Sequence, residues 1–265
     1  MIETIDHGAV RELRMARPPA NALAPELIVA LSEALAAAAA APAAPAASAV
    51  GPVAGLVLSG APGMFSAGLD VPYLLTLDRD GIRAMWSAFY SLLRGIAASP
   101  LPVVAAITGH SPAGGAVLAL YCDLRVMAEG EFRIGLNEVR VGLPMPPVIL
   151  AAMRRLVGPR LAERMCVSGA LVSPAEAAHI GLVDELAPPA RVVERAVAMA
   201  AELAALPRAA MAETRRLARA DLTAMFDAAD AEMEGLLDSW FSAEAQATMR
   251  ALVERLARKR AAAAG

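Results

Sequence analysis

The hydrophobic pattern of the first forty residues predicts a hairpin followed by a helix. Residues 2–6 and 9–15 read as short strands on either side of the turn "DHG", which is typical of an antiparallel pair. Apolar residues then recur with the spacing of one helix face, at Leu27, Ile28, Leu31 and Leu35. Proline stops this helix in the Ala/Pro tract 36–52, which we interpret as a flexible surface connection without chemistry.

Short apolar runs alternate with helical patterns in the next part of the chain. Residues 54–60 and 102–109 are apolar runs between turn signals, as expected of strands buried in a parallel sheet. Residues 81–98 show helical spacing between them, so the three segments predict a parallel crossover. The alternation continues with a helix candidate, "GGAVLALYC", a strand candidate, "DLRVMAE", and an extended piece, "EFRIG".

The last third of the chain has a different pattern. Strand signals almost vanish beyond residue 146, and four or five amphipathic helices account for the remainder. We therefore predict an α/β core followed by a helical C-terminal region.

Composition narrows the class of protein. A chain of 265 residues with 57% hydrophobic content can bury a substantial core. The net charge of −3 and the lack of a basic cluster in the body of the chain argue against nucleic acid as a partner. No stretch approaches the roughly 20 uncharged apolar residues of a membrane span. The N-terminus is acidic where a signal peptide would be basic, so we expect a soluble cytoplasmic protein.

The potential metal and redox residues are sparse. Cys122 and Cys166 both lie in apolar runs, which favours buried free thiols over a disulfide. His7, His110 and His179 are isolated, so neither they nor the cysteines have the spacing of a metal site. His110 fits a core or loop histidine better than a pocket residue. We predict no metal.

Three segments depart from the strand and helix patterns around them, and they contain the candidate catalytic residues. The first is "GAPGMFSAGLD", residues 60–70, a glycine-rich loop directly after a buried strand. Ligands bind to α/β sheets at the carboxyl ends of parallel strands, where such loops lie. The alternative is an ordinary strand-to-helix turn in which Asp70 caps the helix.

The second segment contains two adjacent glycines at a predicted helix start, Gly114 and Gly115. Each glycine costs a helix about 1 kcal/mol relative to alanine, so the pair needs a reason. A helix beginning there offers free N–H groups and the positive end of its dipole to a carbonyl oxygen that acquires negative charge. Close packing of the helix on a strand is the alternative. Neither a phosphate loop nor a dinucleotide fingerprint is present.

The third segment is "IGLNEVRVGLPMPP", which places Glu138 among apolar residues. Desolvation raises the pKa of such a carboxyl group, which is how proteins obtain a general base that works near neutral pH. A solvated surface glutamate is the alternative for Glu138.

Taken together, these segments resemble the crotonase, or enoyl-CoA hydratase/isomerase, superfamily. The resemblance runs in order through nearly the whole chain and rests on "RPPANAL", "FSAGLD", "AAITGHSPAGGAVLALYCDLRVMAE", "IGLNEVRVGLP" and "SGALVSPAEAAHIGLVDEL". It implies a crotonase-like (ClpP/crotonase) spiral of β-β-α units over residues 1–200, with a helical trimerisation region at the C-terminus over residues 201–265. It also implies enolate chemistry on an acyl-CoA thioester, with coenzyme A as part of the substrate and no further cofactor.

The resemblance also implies roles for individual residues. The backbone N–H groups of Leu69 and Gly114 would bind the thioester oxygen, and Glu138 would be the acid/base. Hydratases of the family carry a second glutamate where this chain has Val117. The chain therefore looks more like the mitochondrial-type Δ3,Δ2-enoyl-CoA isomerases, which need one base. The residues expected to contact substrate are Ser66, Ala67, Gly68, Asp70, Pro112, Ala113, Gly115, Val117 and Leu143.

Several alternatives stay open at this point. The protein could be a hydratase whose second acid comes from another position, or a non-catalytic acyl-CoA-binding member of the fold. The apolar stripe Met85, Trp86 and Phe89, with Met145 and Pro146, fits either an acyl pocket or plain core. The basic cluster Arg258–Arg260 fits either contact with CoA phosphates or a solvated tail. By resemblance we expect a homotrimer or a dimer of trimers.

Overall fold

The N-terminal hairpin and the helix after it form as the hydrophobic pattern predicts. The computed structural model describes residues 1–40 and 52–264. Strands β1 (Ile2–His7) and β2 (Val10–Met15) pair antiparallel, and helix α1 (Pro25–Ala40) buries Leu27, Ile28, Leu31 and Leu35. Residues 36–40 of the Ala/Pro tract are therefore helical rather than a connection, because alanine continues the helix. Residues 41–51 lie outside the described residues.

The main sheet is parallel from β2 onward. Its strands follow the order β1-β2-β3-β5-β7-β9, with β3 at Gly55–Ser59, β5 at Val103–Ile107, β7 at Leu124–Ala128 and β9 at Glu185–Ala187. Helix α3 (Arg79–Ala98) connects β3 to its parallel neighbour β5, which confirms the predicted crossover. Helix α3 buries the stripe that contains Ile82, Leu92 and Ile96.

A second, small parallel sheet lies beyond the carboxyl ends of these strands. It consists of β4 (Gly63–Met64), β6 (Gly109–Pro112) and β8 (Ile134–Gly135), in that order. Each short strand follows a long one and precedes a helical segment: α2 (Val71–Leu74), α4 (Gly114–Tyr121) and a 3₁₀ turn (Glu138–Val141), respectively. The chain thus repeats a β-β-α unit, as predicted.

The rest of the chain is helical apart from β9. The helices are α5 (Pro147–Val157), α6 (Pro159–Ser168), α7 (Pro174–His179), α8 (Val192–Ala204), α9 (Arg208–Ala218), α10 (Ala220–Trp240) and α11 (Ala243–Ala264), with a 3₁₀ turn at Pro189–Arg191. Our prediction of four or five helices was wrong, since the described residues after 146 form seven α-helices. Gly158 and Pro159 divide α5 from α6, and β9 is too short to show a periodic signal.

Two buried arginines attach the C-terminal helices to the core. Arg215 Nε lies 2.9 Å from a carboxylate oxygen of Asp123, and Arg219 Nη1 lies 3.0 Å from the same carboxylate. Arg215 also donates to the carbonyls of Ile96 and Ala97 near the end of α3. These hydrogen bonds attach α9 to the C-terminal turn of α3, where the i+4 donors of the helix have run out. The division at residue 200 and the oligomerisation role of residues 201–265 stay predictions.

The structure also shows the state of the two cysteines and the apolar character of the helices. Cys122 and Cys166 are buried free thiols, as predicted. Among the helices of residues 1–40 and 52–264, none combines the length and the apolar character needed to cross a membrane.

Candidate active site

The loop of residues 60–70 follows β3 and is held by its own backbone. Ser66 is fully buried, and its hydroxyl donates to the carbonyl of Asn21 at 2.7 Å and accepts the N–H of Gly68 at 3.2 Å. Gly68 has φ +85°, a conformation that favours glycine. The N–H of Ala67 donates to Ala20 at 2.9 Å. The loop is therefore ordered through its main chain.

Asp70 ends this loop as the cap of α2. Its carboxylate accepts the N–H of Tyr73 at 3.3 Å, and Arg17 Nη2 lies 2.7 Å from its other oxygen. The helix-cap interpretation of Asp70 is thus confirmed. A contact between Asp70 and substrate stays a prediction.

The glycine pair lies where β6 passes into α4. Ala113 precedes it with φ +48° and ψ −125°, a strained conformation for alanine, and its N–H donates to Gly135 at 2.9 Å. A side chain at Gly115 would meet the carbonyl oxygen of Ser66 at 2.6 Å. Gly115 is therefore required for close packing of α4 on the 60–70 loop, which is the alternative that the sequence left open.

Gly114 brings its N–H beside that of Leu69. A Cβ atom at Gly114 would lie 3.3 Å from Leu69 N, and a Cβ atom at Gly68 would lie 3.1 Å from Gly114 N. Within residues 1–40 and 52–264, neither N–H has a hydrogen-bond acceptor. Gly114 is also the first residue of α4, where the helix dipole is positive. Two free donors therefore lie together at a helix N-terminus.

Glu138 is connected to the glycine pair through the small sheet. Strand β8 pairs with β6 so that Pro112 lies opposite Gly135, and the 3₁₀ turn that begins at Glu138 follows three residues later. The N–H of Ala113 binds the carbonyl of Gly135, so the strand that leads to Glu138 also fixes the residue before Gly114. The sequence separation of the two segments is large, yet one backbone contact couples them.

The carboxyl group of Glu138 is buried and incompletely bonded. Glu138 is 8% exposed, and among the described residues its Oε2 has no hydrogen-bond partner. Burial raises its pKa from 4.5 to about 7. This environment matches the prediction of a desolvated base and contradicts the alternative of a solvated glutamate.

Helix α11 lies against the 3₁₀ turn that begins at Glu138. Gly142 ends the 3₁₀ turn with φ +79°, and a side chain there would lie 2.8 Å from the Cα atom of Ala245. The backbone of α11 therefore packs directly on the turn that carries Glu138.

Two apolar residues complete the set predicted to meet substrate. Val117 lies one turn into α4 and is 1% exposed, and its N–H donates to Ala113 at 2.9 Å. Leu143 is buried, and its N–H donates to the carbonyl of Glu138 at 3.1 Å. Val117 lies on the helix that begins at Gly114, and Leu143 follows the turn that begins at Glu138. Their contact with substrate stays a prediction.

Other candidates are placed outside this group. Met85, Trp86 and Phe89 are at most 2% exposed and belong to the main hydrophobic core, which favours the core interpretation of that stripe. His110 lies on β6, and its Nδ1 accepts the N–H of Arg133 at 3.2 Å, which favours a structural histidine over a pocket residue. Arg258 is exposed and pairs with Glu254 at 3.9 Å, while the side chains of residues 259 and 260 lie outside what the structure describes.

The geometry defines a type of chemistry. Two preorganised N–H donors stabilise an oxygen that becomes negative, and a buried carboxyl group with a pKa near neutrality accepts a proton. Such a set suits removal of a proton next to a carbonyl group. In the described part of the chain, no three His, Cys, Asp or Glu side chains come together to hold a metal ion.

Comparison with known proteins agrees with this geometry. The sequence model of the family "Enoyl-CoA hydratase/isomerase" matches residues 6–262. The chain belongs to this family. It is 31% identical over 255 residues to human mitochondrial enoyl-CoA delta isomerase 1, which covers 95% of this chain and 82% of that protein.

Solved structures of the family confirm the crotonase-like fold. The crystal structure of human mitochondrial Δ3,Δ2-enoyl-CoA isomerase matches with a TM-score of 0.91 and 28% identity, over 97% of this chain and 98% of that one. An enoyl-CoA hydratase from Mycobacterium ulcerans matches with a TM-score of 0.79 and 28% identity, over 88% and 98% of the two chains. The relatives thus include both isomerases and hydratases.

Asn21, in the segment "RPPANAL", is a further residue of this site that the sequence pattern did not predict. Asn21 is 2% exposed and has φ +49°, in the left-handed region that few residues other than glycine adopt. Asparagine is one of the residues that tolerate this region. An asparagine directly after a proline-rich turn was therefore the sequence signal for this backbone conformation.

Proposed function

We propose that this protein is an enoyl-CoA isomerase that converts a 3-enoyl-CoA to the trans-2-enoyl-CoA. The observation that carries this proposal is the buried carboxyl group of Glu138, with Oε2 unpartnered among the described residues, on the segment coupled to the two free N–H groups of Leu69 and Gly114. Such a reaction belongs to the degradation of unsaturated fatty acids.

The two N–H groups would bind the thioester carbonyl oxygen of the substrate. When a proton leaves C2, negative charge moves onto that oxygen, and the resulting dienolate is stabilised by both donors. One donor of this kind is worth about 2.7–4 kcal/mol to the transition state. The positive end of the α4 dipole adds to the same effect.

Glu138 would move the proton. Its carboxylate takes one proton from C2, the double bond shifts from C3–C4 to C2–C3, and the resulting carboxylic acid delivers a proton to C4. Atoms and charge balance within this cycle, because the acid returns to the carboxylate. A pKa of about 7 suits both halves, since a group near neutrality gives and takes a proton with similar ease.

The choice of isomerisation over hydration rests on the number of available carboxyl groups. Hydration requires one group to activate water and another to protonate carbon, whereas isomerisation needs one group. Val117 is apolar at the position where the resemblance puts the second glutamate of hydratases. Among the described residues, the other buried glutamate is Glu12, and its oxygens are bonded to Ser59, His7 and Arg14.

A hydratase is the second candidate, because hydratases are among the similar structures. Two assays on one preparation separate the candidates: isomerisation of a 3-enoyl-CoA and hydration of crotonyl-CoA. We expect isomerisation to be fast and hydration to be slow. Fast hydration with slow isomerisation would overturn the proposal, and tight acyl-CoA binding without either reaction would indicate a non-catalytic member.

Other properties stay predictions. These are the cytoplasmic location, the homotrimer or dimer of trimers, and the absence of any cofactor apart from the coenzyme A of the substrate.

A further inference from the structure

Asn21 lies between β2 and α1, in contact with the loop that carries Leu69. Its side-chain Oδ1 accepts the N–H of Arg17 at 2.8 Å, and its Nδ2 donates to the carbonyl of Phe65 at 3.1 Å. Its own carbonyl accepts the hydroxyl of Ser66 at 2.7 Å. Side chain and main chain of this one residue therefore bind two consecutive residues of the loop.

The φ of +49° makes these contacts possible together. In this conformation the side chain of Asn21 bonds to Phe65 while its carbonyl accepts the hydroxyl of Ser66. Ser66 Oγ in turn accepts the N–H of Gly68, at 3.2 Å. The chain of bonds thus runs from Asn21 through Ser66 to the residue that precedes Leu69.

Leu23, two residues after Asn21, fixes the peptide group between Gly68 and Leu69. The N–H of Leu23 donates to the carbonyl of Gly68 at 2.8 Å, and the carbonyl of Leu23 accepts the N–H of Asp70 at 3.1 Å. In a planar trans peptide the C=O and N–H bonds point in opposite directions. Holding the Gly68 oxygen on Leu23 therefore turns the Leu69 N–H away from Leu23.

We infer that Asn21 is a positioning residue that sets the direction of the Leu69 N–H donor by holding residues 65–68 against residues 20–23. This inference rests on the proposed function, in which that N–H binds the thioester oxygen. Asn21 acts through the loop and does not itself touch the substrate. We expect loss of Asn21 to weaken binding of the transition state more than binding of the substrate. The thioester oxygen carries more negative charge in the transition state than in the bound substrate.

The direct test is Asn21→Gly, since glycine adopts φ +49° without strain and only the side-chain bonds are removed. We expect kcat to fall about 10- to 100-fold, since small misplacement of a catalytic group has effects of this size. KM should change by less than about threefold. Glu12→Gln, which disturbs another buried hydrogen-bonded network, is the control for a loss of stability alone and should keep its kcat.

Ser66→Ala gives a second route if Asn21→Gly does not fold. It removes the bond between Ser66 and the Asn21 carbonyl and leaves the Asn21 side chain in place. We expect a smaller fall in kcat in the same direction, again with KM nearly unchanged. A fall in kcat of equal size in the Glu12→Gln control would show that stability alone explains the effect, and would overturn the inference.

A spectroscopic measurement separates failure of the inference from failure of the proposed function. A 3-enoyl-CoA with a carbon-13 thioester carbonyl is bound to Glu138→Gln, which binds the thioester without converting it, and the infrared carbonyl stretch is recorded. Hydrogen bonds from Leu69 and Gly114 should lower the stretching frequency. The additional Asn21→Gly change should return it part of the way toward the value in water.

The outcomes are distinct. A carbonyl stretch lowered in Glu138→Gln and equally lowered with Asn21→Gly would refute the role of Asn21 and leave the proposed function standing. A stretch that is not lowered in Glu138→Gln would refute the pair of N–H donors, and with it the proposed function.

Discussion

Glu12 and Glu138 are both buried glutamates, but the molecule surrounds them in opposite ways. Glu12 lies on β2 and is fully buried, with Ser59 Oγ at 2.6 Å, His7 Nε2 at 2.9 Å and Arg14 Nε at 3.0 Å from its oxygens. Desolvation alone would raise the pKa of Glu12. The hydrogen bonds from Ser59, His7 and Arg14 outweigh it and hold the pKa below 4.5.

Glu138 is also buried, but among the described residues it lacks side-chain donors like those that surround Glu12. Its Oε2 has none among the described residues, and desolvation raises its pKa to about 7. A carboxylate that is fully bonded stabilises the fold and has no free lone pair for a substrate proton. A carboxylate left unbonded costs stability and is available for chemistry. The contrast separates a structural glutamate from a candidate base, although both are buried.

The largest expected difference between Glu138 and Glu12 is in the effect of their substitution on turnover. Replacing Glu138 by glutamine keeps its shape and removes its basicity, so we expect turnover to fall at least about 10³-fold. The matched change Glu12→Gln should leave turnover per folded molecule within about twofold. Steady-state isomerisation of a 3-enoyl-CoA measures both. Comparable losses in the two variants would contradict the separation of roles.

Substitution of Glu138 should also change how the free energy of unfolding depends on pH. The pKa of Glu138 is raised on folding, so the folded state binds more protons between pH 4.5 and 7, and stability falls as pH rises through this window. The difference of pKa corresponds to about 3 kcal/mol. Glu138→Gln should lack this loss and be more stable than the native chain at pH 8. Urea unfolding at a series of pH values measures it, and equal pH dependence in both proteins would refute the raised pKa.

Glu12→Gln should act on stability in the opposite direction. Because the pKa of Glu12 is lowered on folding, its stabilisation is present above pH 4.5 and is lost as pH falls through the folded pKa. Loss of a charged hydrogen-bonding partner at neutral pH should cost about 1.5–3 kcal/mol. The same unfolding experiment detects this cost at pH 7, and it should shrink in acid. A variant as stable as the native chain at pH 7 would show that the bonds to Glu12 contribute nothing.

The smallest expected effect comes from one partner of Glu12. His7 is about a third exposed, and Glu12 keeps Ser59 and Arg14 when His7 is replaced. We expect His7→Ala to lower the free energy of unfolding by less than about 1 kcal/mol. Comparison with Glu12→Gln in urea tells whether the network depends on the carboxylate or on any one donor. A larger loss of unfolding free energy for His7→Ala than for Glu12→Gln would contradict the view that the carboxylate holds this network together.

The same two glutamates show what sequence could and could not predict. Glu138 lies among apolar neighbours in sequence, so its burial and raised pKa follow from a local pattern. Glu12 lies in a strand of mixed polarity. Its hydrogen bond from Ser59, which is 47 residues away, forms because β2 and β3 pair. Local pattern does not contain that pairing.

A similar limit applies to the rest of the molecule. The hairpin, the parallel crossover and the glycine pair at the start of α4 follow from periodicity and turn residues. The contacts of Asn21 with Phe65 and of Gly115 with Ser66 join segments that are far apart in sequence. The stripe of Met85, Trp86 and Phe89 has the same helical spacing whether it lines a pocket or fills a core, so only packing decides it.

The most direct test of the account follows the proton itself. A 3-enoyl-CoA that carries deuterium at C2 is incubated with the native protein, Glu138→Gln and Glu12→Gln, and the deuterium remaining at C2 is measured by NMR. The account predicts rapid loss of deuterium from C2 with the native protein and with Glu12→Gln, whether it moves to C4 or to solvent, and none with Glu138→Gln. Loss from C2 at the native rate with Glu138→Gln would contradict the assignment of Glu138 as the base.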